Sequence, residues 1–312
     1  MELIKPNINI DFISRKNIAV LFSALLILIG FLSLLIKDGP NYGIDFAGGT
    51  LVQVQFKQDT GAVEIKDALS GLELGSLVIQ QFGEDANEFL IRSQNSSAEL
   101  EGLSQSIAGA LEGRYGEGTV EVRRAEMVGP QVGKDLRQKG FKAILCAMIG
   151  ILIYVSWRFE FRFAIGAIVA LVHDVLITLG AFSLFNMEID LPVIAAFLAI
   201  IGYSLNDTII VYDRIRENMG KHAKDGLPLI ITRSINETLS RTILTSGTTM
   251  LVVVALFLFG GGVIHTFAFA LLVGILAGTY SSIFVASPIL IYWEEWKGKK
   301  RGKAPAVKGG AA

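Results

Sequence analysis

The sequence predicts an α-helical polytopic membrane protein, six transmembrane helices carrying an inserted α+β ferredoxin-like domain. Three observations predict it. The chain of 312 residues is 52% hydrophobic with a mean hydropathy of +0.52, which polytopic membrane proteins show and soluble domains do not. Six apolar runs, at 18–36, 141–157, 163–185, 191–212, 242–259 and 266–292, come near the ~20 residues of one bilayer crossing. Between the first two lies a polar stretch, 37–139, whose pattern is that of a small soluble domain.

The first run reads as a retained anchor, because mostly polar residues precede it and no small-x-small cleavage site follows. The segment Gly43-Ile44-Asp45-Phe46-Ala47-Gly48-Gly49-Thr50 is glycine-rich but lacks GxxxxGK[ST] and does not pass from a strand into a helix. It reads as a tight path from the first crossing into the first strand, and without a Walker A sequence the chain is not expected to draw on bound ATP. Residues 50–56 alternate as a half-buried strand does. Residues 61–74 read as a helix with Val63, Ile65, Ala68 and Leu69 on one side, and 77–82 and 88–92 as strands. Residues 97–114 read as a helix that Ser97 can cap, with Leu100, Leu103, Ile107 and Leu111 on its apolar face, and 118–123 as a last strand. The order β-α-β-β-α-β is that of ferredoxin-like domains. No His, Cys or carboxylate cluster in it suggests catalysis, so binding or mechanical work is the expectation.

The second crossing is short, and the sixth is long and carries Pro288, where it bends or continues along the surface. Lys and Arg in the short flanks set orientation. Lys5, Arg15, Lys16, Arg158, Arg162, Arg214, Arg216, Lys221, Lys224, Arg233 and Arg241 fall on one side with the basic tail 293–312, whereas loops 186–190 and 260–264 hold neither residue. Both termini (1–17 and 293–312) are therefore expected in the cytoplasm, and 37–139 outside. Residues 213–240 are basic with interspersed Leu and Ile and read as one or two amphipathic helices on the cytoplasmic surface. The net charge of −1 says nothing about nucleic acid, and no nucleic-acid partner is expected. Cys146 is the one cysteine and the histidines, His173, His222 and His265, are scattered. No internal disulfide is possible, and neither a metal site nor a cofactor is expected.

The residues that could carry chemistry are the polar ones inside apolar runs. Asp207 sits in the fourth crossing with Asn206 beside it and Tyr203 one turn back. A charge at mid-bilayer costs about 2.5–3.5 kcal/mol on insertion scales, so an intramembrane carboxylate is read as functional by default. The bland alternative is a neutralised group that holds the bundle together. His173 and Asp174 lie near the middle of the third crossing, and Arg241 starts the fifth, followed by Thr245, Ser246, Gly247, Thr248 and Thr249. At 1.5 Å per residue Asp207 lies ~7–8 Å and Asp174 ~16 Å from the basic side, so with Arg241 they form a ladder if the helices touch. Arg241 reads equally as a positive-side anchor, and His173-Asp174 as a buried pair that fixes packing. Ala270, Gly274, Gly278, Ser282 and Ala286 repeat every four residues on the sixth crossing, and Gly166 and Ala170 on the third. Such stripes serve close helix packing. No nucleophile–base pair stands at a suitable depth and spacing, so an enzyme is not expected.

These residues together resemble the SecF family, the smaller membrane subunits of the SecDF accessory complex of the bacterial Sec translocase, within the resistance-nodulation-division superfamily. The matches are Gly43 to Thr50 with Asp45, Gly48 and Gly49, then Val128-Gly129-Pro130, Val172-His173-Asp174, Ser204-Leu205-Asn206-Asp207-Thr208, Tyr212-Asp213-Arg214-Ile215-Arg216-Glu217 and Asn236-Glu237-Thr238-Leu239-Ser240-Arg241-Thr242. The resemblance implies a subunit of the cytoplasmic (inner) membrane that joins SecD to couple the proton motive force to late steps of protein export. It implies a proton-coupling role for Asp207 and Arg241, and SecYEG, YajC, YidC and the unfolded exported polypeptide as partners beside membrane lipid. Half of a small-molecule efflux transporter and a purely structural assembly subunit are the competing readings.

Overall fold

In a computed structural model of the chain, which describes residues 9–72, 74, 77–82, 87–93 and 100–301, six long helices are apolar enough to cross a membrane. The chain is a multi-pass membrane protein. Helix α1 (Lys16–Ile36) is followed by a short helix α2 (Ile44–Ala47) and strand β1 (Gly49–Phe56). Helix α3 (Ala62–Ala68), strands β2 (Leu77–Gln81) and β3 (Glu88–Ser93), helix α4 (Leu100–Tyr115) and strand β4 (Val120–Val128) complete the inserted domain. Then come α5 (Pro130–Arg158), α6 (Phe161–Leu184), α7 (Leu191–Lys221), α8 (Leu227–Phe259), α9 (Gly262–Ser281), a π-helical segment (Ser282–Ala286) and α10 (Ser287–Arg301).

The inserted domain is an antiparallel sheet of order β2-β3-β1-β4. With two helices in β-α-β-β-α-β order this is the ferredoxin-like arrangement. Alternation places Val52, Val54, Phe56, Phe89 and Ile91 on one sheet face, where Ile65, Leu69, Ile107 and Leu111 of the helical layer bury them. The first helix is shorter than the expected 61–74: it ends at Ala68, where Ser70 Oγ donates to the Asp67 carbonyl at 2.7 Å and Gly71 follows. The last strand is longer than the expected 118–123, because β4 follows β1 past a register shift at Gln53/Val54 that breaks its alternation. Ser97 lies outside the described residues.

Several membrane helices outrun their apolar cores, since only a bilayer limits apolar length and nothing in these sequences stops the helix. Helix α5 starts at Pro130, not near 141, with proline in its first turn, a position where the missing N–H costs nothing. The segment 213–240 does not form separate surface helices. Its residues continue α7 to Lys221 and begin α8 at Leu227. Its apolar residues Ile215, Ile230, Ile231 and Ile235 are buried in the main core, and Asn218 Nδ2 ties the two helices by donating to Ser234 Oγ at 3.0 Å and Glu237 Oε2 at 2.9 Å. The sixth crossing carries a π-helical segment just before Pro288 and runs on as α10 to Arg301, so part of the expected tail is helix.

Helices α6, α7 and the sixth crossing form the centre, each about half buried along its apolar window (56%, 44% and 50%), whereas α1, α5 and α8 are peripheral (22%, 11% and 17%). Glycine makes the tightest crossings possible: a Cβ on Gly30 of α1 would lie 2.7 Å from the Gly180 Cα of α6, and one on Gly274 of α9 2.3 Å from Ile200 of α7. The glycine-rich motif roots the inserted domain. The chain turns through positive φ at Gly48 (77°) and Gly49 (121°), where glycine is favoured, and a Cβ on Gly48 would meet the Pro130 Cα at 2.8 Å. Gly43 N–H donates to the Ile189 carbonyl (2.8 Å), and Asp45 Oδ2 accepts from Leu191 N–H (2.9 Å) at the start of α7. Gly129 is the extended N-cap before Pro130. The motif is thus a joint between the sheet and the ends of α5 and α7.

Candidate functional site

Two carboxylates are buried in the helical centre, Asp174 on α6 and Asp207 on α7, each 1% exposed. A buried carboxylate is costly unless hydrogen-bonded, and the two meet this need differently. Asp174 Oδ2 accepts from Ser204 Oγ of α7 at 2.6 Å and Ser281 Oγ of α9 at 2.8 Å, and its Oδ1 lies 2.8 Å from Nδ1 of His173. The other ring nitrogen of His173, Nε2, lies 3.0 Å from Ser23 Oγ of α1. Ser23 Oγ donates to Tyr280 Oη (3.2 Å), and Tyr280 donates to the Ala19 carbonyl (2.8 Å), with its ring stacked on His173. One continuous network therefore joins α1, α6, α7 and α9.

Asp207 has less. Its Oδ2 accepts from Ser246 Oγ of α8 at 3.2 Å, and Ser246 Oγ accepts from Thr279 Oγ1 of α9 at 2.9 Å. Its Oδ1 is buried without a hydrogen-bond partner among the described residues, as is Thr242 Oγ1, one turn before Ser246 on α8. Among the described residues no ion pair joins Asp207 to Arg241. The helices do touch, but Arg241 is on the exposed side of α8, with Thr248 and Gly247. Asn206 is also exposed, turned away from the carboxylate beside it, because neighbours on a helix point about 100° apart. Tyr203 reaches α8 instead, donating to Thr249 Oγ1 at 3.3 Å.

Sequence reading placed Asp174, Asp207 and Arg241 on one ladder, with His173 beside Asp174 and Asn206 beside Asp207. The structure brings His173 and Asp174 together, puts Asp207 in a separate nest and leaves Arg241 and Asn206 on exposed faces. It adds residues that sequence reading did not single out, Ser23 and the consecutive Thr279, Tyr280 and Ser281, and gives carboxylate contacts to Ser204 of the matched motif and Ser246 of the polar stripe. That triplet is a hub. Thr279 serves the Asp207 nest, Ser281 serves Asp174, and Tyr280 between them serves the His173 side. The π-helical segment begins immediately after it, and such segments are frequent at functional sites. Hydroxyls in an apolar run were the available signal, but nothing in the run said which of them faced a carboxylate. Gly278 lies close against α7 at this place: a Cβ there would come 2.8 Å from the Ser204 Cβ.

The α7 start carries a third acidic group outside the membrane-spanning segments. Asp190 caps α7, accepting from Val193 N–H at 3.2 Å. Burial pushes its carboxyl up to about 6, with nearby Asp45 adding to the rise and Arg92 opposing it. Arg92 of β3 pairs with Glu188 of the same loop, and burial lowers its guanidinium to about 10. A cavity of about 800 Å³ opens beside this pair, between the sheet and the loops at that end of the bundle, with Gln53, Arg92, Glu188, Asp190 and His265 on its walls.

Comparisons with known proteins agree with this architecture. The family model described as protein export membrane protein SecD/SecF, C-terminal, matches residues 110–296, and that of the SecD/SecF GG motif matches residues 33–60. The chain is 52% identical over 292 residues to the protein translocase subunit SecF of Desulfurispirillum indicum, covering 91% of each chain. It is 46% identical over 291 residues to that of Vibrio alginolyticus, covering 93% of this chain and 91% of that one. Among solved structures it is similar to SecDF from Thermus thermophilus, a translocon-associated membrane protein, with a TM-score of 0.84, 35% identity and 94% of this chain covered. It spans 40% of that longer chain. The likeness to SecDF in a super-membrane-facing form is weaker, with a TM-score of 0.68 at 35% identity, over 97% of this chain and 41% of that one.

Proposed function

The chain belongs to the SecD/SecF family of protein export membrane proteins, and from that premise we propose that it works with SecD to couple inward proton movement to late steps of protein export. The observation that carries the reading is Asp207. It is fully buried, its Oδ1 has no partner among the described residues, and a hydroxyl pair, Ser246 and Thr279, stands behind its Oδ2. A carboxylate so held gains or loses a proton with little else to rearrange. A transmembrane potential supplies about 2.3 kcal/mol per charge per 100 mV, several times RT and enough to bias a two-state motion.

The partner half is SecD, since the chain spans only part of the similar SecDF chain. In this reading the exposed polar face of α8, with Arg241, Thr248 and Gly247, meets SecD, and Arg241 reaches a carboxylate only in the assembled complex or in another state. The membrane is the bacterial cytoplasmic membrane, with both termini inside and the ferredoxin-like domain outside, as the Lys and Arg distribution argues. There the domain acts on the unfolded polypeptide leaving SecYEG, with YajC and YidC as associated partners. The role is transport and not catalysis.

The test is Asp207→Asn in the complex with SecD, reconstituted with the translocon in vesicles. Proton-dependent stimulation of export is expected to disappear while the complex stays intact. Normal stimulation in that variant overturns the coupling reading and leaves a structural assembly role.

A further inference from the structure

We propose that His173 and Asp174 hold one transferable proton between them, and that Ser23 and Tyr280 decide whether it is held. The reasoning is a count of hydrogens along the chain of contacts. The far end is fixed: the Ala19 carbonyl can only accept, so the one hydrogen of Tyr280 goes to it at 2.8 Å. The contact between Ser23 Oγ and Tyr280 Oη, 3.2 Å, then needs the hydrogen of Ser23. With that hydrogen committed, Ser23 can only accept from His173, so Nε2 must carry a hydrogen across the 3.0 Å contact. At the near end Asp174 Oδ2 takes the hydrogen of Ser204 at 2.6 Å and that of Ser281 at 2.8 Å, the shorter of the two contacts open to Ser281, the other being the Gly278 carbonyl at 3.2 Å. The remaining contact, Nδ1 to Oδ1 at 2.8 Å, closes only if it also contains a proton. Neutral imidazole has one N–H, already used at Nε2. The extra proton is therefore the loaded state of the pair, on Asp174 Oδ1 or on Nδ1.

The unloaded state contains one proton fewer. The shared proton settles on Nδ1 facing ionised Asp174, the Nε2 proton leaves to solvent, and Ser23 turns its hydrogen to Nε2. Tyr280 still donates to Ala19, so Ser23 and Tyr280 then face each other with lone pairs only and their contact is lost. Loading thus adds a second bond between α1 and α9, Ser23 to Tyr280, to the one that Tyr280 keeps with the Ala19 carbonyl, and unloading removes it.

The groups facing the pair from each packed helix are Ser23 from α1, Ser204 from α7, and Tyr280 and Ser281 from α9. The next carboxylate is Asp207, three residues after Ser204, which turns to α8 instead. Ser23 and Tyr280 are positioning residues, acting through the ring. The site deepens the proton-coupling reading, but its test measures a ring and not transport, so the two can fail separately.

The experiment uses the full chain in lipid nanodiscs with ¹⁵N-labelled histidine, the His173 signals assigned by their loss in His173→Gln. Nε2 is expected to carry a hydrogen in the loaded pair, and the ring to show the Nδ1–H form with bare Nε2 in the unloaded one. Tyr280→Phe keeps the stacked ring but removes the acceptor of Ser23, so Ser23 is free to donate to Nε2 and the share of rings in the Nδ1–H form should rise. Ser23→Ala removes the Nε2 partner of both states, so Tyr280→Phe made in the Ser23→Ala chain should leave the ring unmoved. A His173 ring that is Nδ1–H with bare Nε2 at every pH overturns the proposal. So does a ring population that Tyr280→Phe leaves unmoved in the chain that keeps Ser23.

Discussion

Asp174 and Asp207 are equally buried, yet one is saturated with donors and the other is half supplied. Asp174 receives two hydroxyls, from α7 and α9, and faces the ring of His173 on its own helix. Asp207 receives one hydroxyl, from the peripheral helix α8, and its second oxygen is buried without a partner among the described residues. Burial alone therefore does not assign a role. What separates them is the supply of donors, and the supply follows position: Asp174 sits where the central helices converge, Asp207 where the centre meets a helix whose other face is exposed. The saturated site joins this chain's own helices. The half-supplied one keeps an oxygen unpaired among the described residues.

The largest effect expected from this contrast is on stability. Asp174→Ala leaves Ser204, Ser281 and His173 without their acceptor, at about 1–3 kcal/mol for each buried polar group orphaned. A total loss of about 3 kcal/mol or more is expected in thermal or denaturant unfolding of the full chain in detergent. Asp207→Ala removes a carboxylate with one donor, and its loss should stay near 1 kcal/mol. Equal losses would break the comparison.

Glycine substitution gives a smaller, steric version. Gly278→Ala presses a methyl to 2.8 Å from the Ser204 Cβ and displaces a donor of Asp174, which should cost about 1–3 kcal/mol. Gly247→Ala, on the helix that serves Asp207, meets nothing within 4 Å and should be neutral or slightly stabilising, as Ala is the better helix former. Ser246→Ala removes the one hydroxyl donor to Asp207 among the described residues and should cost about 1 kcal/mol, while lowering export stimulation more than stability.

The smallest effect concerns Asp190, at the domain end. Burial raises its carboxyl to about 6, so the folded chain binds this proton more tightly than the unfolded one. Its ionisation costs stability above about pH 6, and the cost fades as pH falls through 6 toward the ordinary value of 3.8. Asp190→Asn should therefore raise the unfolding temperature near pH 8 and by less near pH 5. A pH-independent change would show that the cap to Val193, not the charge, is what the substitution alters.

The sequence by itself determined the crossings, the ferredoxin-like order and the residues that do not belong in an apolar helix. Apolar length and alternation are local properties, and a buried carboxylate stands out in any apolar run. Helix ends were less legible: α5, α7 and α8 run beyond their apolar segments because polar turns stay helical where they pack, even across Gly133, Gly140 and Gly220. Only the tertiary structure decided which polar residues face each other. Ser23 lies 150 residues from the His173 it contacts, and Ser281 lies 107 from Asp174. A serine in a membrane helix carries no mark of its direction, because its hydroxyl can bond to its own helix as readily as to a neighbour. Packing settled that choice for Asp174 by bringing α7 and α9 onto it. It set Asp207 at the margin, beside Ser246 and without an ion pair to the exposed Arg241 among the described residues.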